Sequence, residues 1–448
     1  MAKQVIIKSR RVVTPEGVRE AAIIIEDGRI SELVSPGSLS DHAVIEDWGD
    51  LAILPGLVDP HVHINEPGRT AWEGFETATA AAAAGGITTL VDMPLNSSPV
   101  TTTRAALQEK IAASQGKLRV DCGFHAGLVP GNEAQIEALL DAGVLGVKAF
   151  LCHSGIDDFP NATERELRAV MGLLAERNVP LLVHAELSGE APDASGQDPR
   201  SYAAYYASRP PAWELRAIEL LIGLCREFGT HVHIVHLATG QAVAMLEAAR
   251  DEGLAISVET CPHYLYFAAE QIPDADTRFK CAPPMRDEAN RDALWRALQA
   301  GVIDLIASDH SPSTPALKEI ESGNLQKAWG GIASLELGIS IVWTEAQRRG
   351  ASLEDLVKWM SLEPARLVHL DHQVGAIAPG RLANLVVFDE AASFVVDGQK
   401  LHQRHKITPY DTQRLRGVVQ ATYLRGQKIY ANGQLVGPPS GAICTTRP

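Results

Sequence analysis

Aromatic residues are scarce in this 448-residue chain, at 5% of the total, whereas glycine alone occurs 37 times. That composition favours closely packed helices over an aromatic-rich sandwich. Basic residues are also outnumbered, 40 Lys and Arg against 55 Asp and Glu, leaving a formal charge of −15. An acidic chain makes a nucleic-acid backbone a poor main partner. None of the six cysteines (Cys122, Cys152, Cys225, Cys261, Cys281 and Cys444) pairs as C-x-x-C. Several sit in apolar runs where a free thiol behaves as a small hydrophobe, so a reducing cytoplasm is expected. No apolar run reaches the about 18 residues that would span a membrane. The first residues, MAKQVIIKSRRVV, alternate like a charged strand and contain no signal core. Low-complexity tracts and solenoid repeats are absent too. Hydrophobic residues at 46% and charged residues at 21% then describe a large soluble α/β protein.

Both chain ends read as short strands with turns. Residues 1–52 contain QVIIKSRRVV and REAAIIIEDGRISELV, with turns at Pro15-Glu16-Gly17 and Asp27-Gly28. Residues 374–448 have the same texture, in GRLANLVVFD, GVVQATYLRG and QKIYANGQLV. Chain termini usually lie close together, so the two ends are expected to build one small β domain. Residues 53–373 alternate apolar strand-like runs with amphipathic stretches. The runs lie at 54–63, 87–94, 119–128, 144–150, 179–186, 231–237, 255–261 and 303–310. Strands buried on both faces and separated by helices imply a parallel sheet, and eight such units predict a (β/α)8 barrel. An open doubly wound sheet is the alternative, but no G-x-G-x-x-G follows an early strand.

A barrel places its chemistry at the C-terminal ends of its strands. The first run ends in Asp59-Pro60-His61-Val62-His63. Alternate strand residues share a side, so His61 and His63 form half of a transition-metal site, or else a merely polar strand end. His184 closes the fifth run and His236 the sixth. His231 and His233 precede His236 and are read as helix-packing or solvent-facing, whereas His125 and His263 are read as supporting groups. Asp309 emerges at the end of the eighth run, where a carboxylate ligates a metal and takes a proton from metal-bound water, or caps the following segment. Lys148, inside the apolar run VLGVKAF, needs an explanation because a buried ammonium is costly. It is either a salt-bridged structural lysine or a neutral amine able to add carbon dioxide as a carbamate.

The segments PGLVDPHVHINEPG, GGITTLVDMPLNSSP, GVKAFLCHSG, HAE, HIVHLATGQA, ETCPHYL, KCAPPMRD and IASDHSP occur in that order. Together they resemble the cyclic-amidohydrolase branch of the amidohydrolase superfamily, which includes dihydroorotases, hydantoinases, dihydropyrimidinases and allantoinases. The resemblance covers nearly the whole chain, including GRLANLVVFD and YLRGQKIYANG. It implies two divalent metal ions, zinc foremost, with cobalt, manganese, iron or nickel also compatible with such ligands. By resemblance, His61, His63 and Asp309 would bind one ion and His184 and His236 the other. Lys148, as an N6-carboxylysine formed with carbon dioxide, would bridge them together with a hydroxide. A cytoplasmic homotetramer is likewise an implication of the resemblance.

Dihydroorotases carry H-x-H-x-R, whose arginine holds a substrate carboxylate, and Asn65 stands at that position here. An uncharged amide offers no bidentate charge-assisted pairing. Dihydropyrimidinases usually have a tyrosine a few residues past the carboxylated lysine, and Phe150-Leu151-Cys152-His153-Ser154-Gly155 contains none. The phrases HINEPGRTAWEGFETAT, DMPLNSSP and KAFLCHSGID look most like those of allantoinases. The implied reaction is opening of the hydantoin ring of allantoin to allantoate, with Asp309 as the proton carrier. Asn65, Asn96, His153, Cys281 and Ala282 are the expected pocket residues, the last two through main-chain groups.

Overall fold

The computed structural model describes residues 4–39, 45–190 and 196–445. The N-terminal strands are β1 (Val5–Thr14), β2 (Gly17–Glu26), β3 (Arg29–Val34), β4 (Ile45–Asp47) and β5 (Ala52–Pro55). A second series follows: β6 (Leu57–Val62), β7 (Ile87–Asp92), β8 (Asp121–Phe124), β9 (Ala126–Gly127) and β10 (Val147–Phe150). It continues through β11 (Leu181–His184), β12 (Val232–Ile234), β13 (Ile256–Thr260) and β14 (Leu305–Ile306). The C-terminal strands are β15 (Leu385–Val395), β16 (Arg414–Leu424), β17 (Gln427–Ala431) and β18 (Gln434–Leu435).

Both chain ends enter one nine-stranded sheet in the order β18-β17-β16-β15-β5-β1-β2-β3, with β4 beside β1. β5 runs parallel to β1 and antiparallel to β15, so the N-terminal strands join the C-terminal ones through it. The expected continuous strand over 54–63 is therefore two strands in two layers. Gly56 stands at the break, and a Cβ there would collide with the Thr88 side chain. The last described residues leave this sheet. Gly441 N–H donates to Leu118 O at 2.8 Å and Cys444 N–H to Cys122 O at 2.9 Å, so the tail lies along β8.

The middle of the chain forms the (β/α)8 barrel. β6-β7-β8 and β9-β10-β11-β12-β13-β14 are parallel, and β8 and β9 are two halves of one strand on either side of His125. Val62 bridges His310 in parallel, and His63 N–H donates to His310 O at 2.8 Å, which closes the ring. The helical stretches form where the periodicity predicts them. Thr163 and Glu166 make a capping box that starts the helix Glu164–Arg177, and Asn178, in the left-handed region, ends it. In the helix Phe75–Ala84 every alanine is buried. Thr422 of β16 donates to Ala83 O at 2.7 Å, so this small-residue helix lies against the terminal sheet. That close approach is where the alanine-rich composition is used. No helix among the described residues is long and apolar enough to cross a membrane.

Candidate metal centre

His61 and His63 both point their Nε2 atoms at Asp309, each 3.3 Å from Oδ1. The strand alternation of β6 produces this, as the H-x-H spacing predicts. Asp309 reaches them because its backbone turns left-handed, with φ 44°, immediately beyond the eighth strand. His236 does the same beyond β12, with φ 39°, and Asn65 and Asn96 are left-handed as well, both with φ 68°. A histidine and an aspartate in this sparsely populated region are held there by their surroundings. These turns also shorten the observed strands: the runs at 231–237 and 303–310 reduce to Val232–Ile234 and Leu305–Ile306.

The four histidines form a continuous series of ring contacts. Ring centroids lie 5.4 Å apart for His63 and His61, 5.5 Å for His61 and His236, and 4.6 Å for His236 and His184. The His184 ring also stacks on Phe150 at 4.6 Å. Two members of the series, His61 and His184, are each fixed by a buried glutamate that the motifs did not single out. Glu259 Oε1 lies 2.5 Å from His61 Nδ1. A proton on that Nδ1 leaves Nε2 as the lone-pair atom facing Asp309. Glu186 Oε2 lies 2.7 Å from His184 Nε2, and the Arg209 guanidinium binds both oxygens of Glu186.

His233 corrects an expectation. It is fully buried inside the barrel, with Nε2 3.0 Å from Glu259 Oε2 and Nδ1 2.7 Å from Ser257 Oγ. It therefore supports the carboxylate that orients His61, and is neither helix-packing nor solvent-facing. His231, half-buried, meets the same Ser257 Oγ from Nε2 at 2.7 Å. His125 is buried with Nε2 3.0 Å from Pro60 O. His263 is buried with neither ring nitrogen hydrogen-bonded among the described residues.

Burial and proximity set the protonation states. Burial alone would raise the Asp309 carboxyl, but His61 and His63 hold it well below the usual range. Burial pushes His63 down to about 4 and His236 well below its ordinary value, so both rings are neutral and able to donate a lone pair. His184 goes the other way: against the effect of burial, Cys152 and Glu186 raise it to about 9. A metal taking that ring must displace its proton. Lys148 has no exposed surface, and its Nζ makes no hydrogen bond among the described residues. Burial brings its amine down to about 8, opposed by the charges of Glu259 and Asp309. The salt-bridged structural lysine thus finds no partner here.

These residues fit a divalent cation. Two imidazole nitrogens and a carboxylate oxygen of His61, His63 and Asp309 lie within 4.8 Å of one another, all buried. His236 Nδ1 and Lys148 Nζ are buried beside them without hydrogen-bond partners among the described residues. A second group of donors, Cys152, His184 and Glu186, also converges within 4.8 Å.

Above the centre opens a cavity of about 590 Å³ whose floor is His61, His63, His184, His236 and Asp309. Of the expected pocket residues, Asn96, His153 and Ala282 line it. Asn96 Nδ2 is also 3.4 Å from His63 Nδ1. Asn65 and Cys281 lie behind the wall. Asn65 Nδ2 donates to Pro312 O at 3.3 Å, and Cys281 O accepts from the Tyr205 hydroxyl at 2.6 Å. Arg69 serves the loop, donating to Asn96 O, Ser97 O and Asp158. The cavity also contains Arg209 and Lys280, which motif reading passed over. One signal was available for Glu259 and Glu186: like Lys148, each is a charged residue within or just beyond an apolar strand.

Comparison with known proteins agrees with this geometry. The Amidohydrolase family model matches residues 52–429. An allantoinase of Streptomyces avermitilis is 45% identical, covering 99% of this chain and 99% of its own length. An allantoinase of Arabidopsis thaliana is 43% identical over 98% of this chain and 90% of its own. Among solved structures, an L-hydantoinase (dihydropyrimidinase) from Arthrobacter aurescens superposes with a TM-score of 0.93 at 30% identity, covering 99% of this chain and all of its own. With its barrel, its convergent His and Asp donors and these matches along its length, the chain belongs to the amidohydrolase family.

Proposed function

We propose that this protein hydrolyses the hydantoin ring of allantoin to allantoate. The observation that carries the chemistry is the convergence of His61 Nε2, His63 Nε2 and the Asp309 carboxylate on the floor of the cavity. The substrate assignment is supported by the full-length likeness to allantoinases. His61, His63 and Asp309 would hold one divalent cation, and His184 and His236 would hold a second. Zinc is foremost, and cobalt, manganese, iron and nickel also suit these donors. When bound, such ions polarise the scissile carbonyl and acidify water. Lys148 would join these ligands as an N6-carboxylysine: its amine, neutral in part near pH 8, would add carbon dioxide, forming an N–C bond and releasing a proton.

Asp309 performs the proton transfers. Its carboxylate stays ionised beside His61 and His63, so it accepts the proton of the attacking water on a carboxylate oxygen. It then returns that proton to the ring nitrogen as the C–N bond breaks. Glu259 and Glu186 hold His61 and His184 in one orientation throughout, sparing reorganisation. By family resemblance we also assign a cytoplasmic homotetramer, which light scattering of the purified protein tests as regards assembly. The deciding experiment is turnover of the metal-loaded protein on allantoin, hydantoin, dihydrouracil and dihydroorotate. Highest kcat/KM on allantoin is expected, and higher kcat/KM on hydantoin or dihydrouracil would reassign the protein to the hydantoinase type.

A further inference from the structure

Two buried lysines, Lys280 and Lys318, secure the segment that roofs the cavity. Neither forms an ion pair among the described residues, and both donate only to main-chain carbonyls. An ammonium has three N–H donors. Lys318 uses all of them, on Lys280 O at 3.0 Å, Trp329 O at 3.1 Å and Gly331 O at 2.5 Å. Lys280 uses two, on Gln326 O at 2.9 Å and Ala328 O at 2.6 Å. Lys280 lines the cavity, and its Nζ lies 5.1 Å from the centroid of the Tyr205 ring, another lining residue. Of the other cations lining it, Arg209 is tied through Nε and Nη2 to both oxygens of Glu186, and Lys327 is exposed to solvent. Lys280 is the buried lining cation with no carboxylate partner among the described residues, and its neighbour Lys318 shows what completes such a shell: a third carbonyl oxygen.

We infer that Lys280 is a specificity-determining residue, donating its remaining N–H to the carbonyl oxygen of the ureido substituent that distinguishes allantoin from plain hydantoin. This inference rests on the proposed reading of the substrate. Burial, and after it the charge of Arg209, brings the Lys280 amine down to about 8, so its donor capacity falls above that pH.

The test compares Lys280→Met and Lys280→Gln with Lys318→Met, which loosens the same roof without altering a cavity-lining side chain. For each protein, kcat/KM on allantoin is measured beside the competitive inhibition constant of hydantoin, which lacks the ureido arm. Loss of one charged hydrogen bond predicts a fall of about 10- to 100-fold in kcat/KM on allantoin for Lys280→Met, with hydantoin binding unchanged. Lys280→Gln keeps the segment tied through one carbonyl and is expected to show the same selective loss, which covers a poorly folding Met variant. Lys318→Met is expected to move both ligands together. Parallel losses for both ligands in the Lys280 variants would overturn the inference while leaving the ring-opening reading intact. An unmodified protein that does not turn over allantoin would overturn both.

Discussion

Lys110 and Lys148 are almost fully buried, at 1% and 0% exposure, and they stand in different layers. In the layer between helices and barrel, Lys110 Nζ donates to Asp92 Oδ2 at 2.6 Å and to Met93 O at 3.0 Å. Arg286 and Glu214 pair in the same manner at 2.5 Å, and Arg425 binds both oxygens of Asp121 at 2.7 Å. At the mouth, Lys148 Nζ, His236 Nδ1 and both His263 nitrogens have no hydrogen-bond partner among the described residues. Burying an unpaired polar group costs free energy, and a fold that pairs its charges elsewhere has no structural use for leaving these open. Charge in the outer layer joins elements, whereas the Lys148 amine at the mouth is left open to something that enters.

The sharpest way to break that contrast is to alter Asp309. Asp309→Asn preserves shape and removes the charge that accepts a proton. Loss of a general base typically costs about 10²- to 10⁴-fold, so kcat is expected to fall in that range while the folded structure persists. A near-normal kcat would move the proton transfer to another group, His263 first.

Lys148→Met and Lys110→Met compare the two layers directly. Lys148→Met removes an unpaired amine, so the thermal midpoint is expected to hold or rise while metal content and turnover are lost. Several kcal/mol of transition-state stabilisation, at about 1.4 kcal/mol per tenfold, means about 10³-fold in rate. Short carboxylic acids with added metal are expected to restore part of the activity to Lys148→Ala. Full activity of that variant without additives would end the bridging assignment. Lys110→Met strands Asp92 in the interior. Breaking a buried pair from one side costs about 3–5 kcal/mol, read in denaturant unfolding. Equal stability losses for the two Met variants would erase the distinction.

Glu186→Gln acts one step further from the metal. It keeps the volume and weakens the hold on His184 Nε2, which leaves Arg209 without its carboxylate. Substituting a group that orients a ligand typically costs about 10- to 100-fold in metal affinity, measurable by competition with a chelator. Unchanged affinity would reduce Glu186 to a structural partner of Arg209.

Periodicity made the barrel readable, because eight apolar runs separated by amphipathic stretches have few other solutions. The strand ends were harder to place, since His236 and Asp309 leave their strands through left-handed turns that no propensity of His or Asp announces. The ligand candidates were visible because His and Asp are conspicuous at the ends of apolar runs. Glu259 and His233 were less visible because their role depends on a pairing across strands β12 and β13, which adjacency in sequence does not show. Asn65 shows the same limit: its place in the motif suggested the pocket, and what its two amide ends meet, Pro312 O for Nδ2 and no partner among the described residues for Oδ1, depends on a loop distant in sequence. The need for glycine at position 56 depended on Thr88, more than thirty residues away in sequence, and was invisible for the same reason.

The smallest expected effect lies on the outer surface. Arg168 pairs with Glu164 at 2.7 Å and with Glu227 at 2.6 Å, distances as short as that of Lys110 to Asp92. The difference is water: the three side chains are 42%, 49% and 51% exposed. In that setting the attraction is weakened by solvent, and holding long side chains in place costs entropy. Arg168→Ala is therefore expected to cost far less stability than Lys110→Met. Its guanidinium carbon also lies 5.8 Å from the centroid of the Phe228 ring, and the dispersion part of that contact is not screened by salt. Near 1 M salt, where the screening length falls to about 3 Å, the electrostatic part should disappear and any packing part remain. Unfolding measured at low and high salt separates the two. A loss as large as that of Lys110→Met would show that short distance rather than burial governs these pairs, and would remove the physical basis for contrasting the mouth with the outer layer.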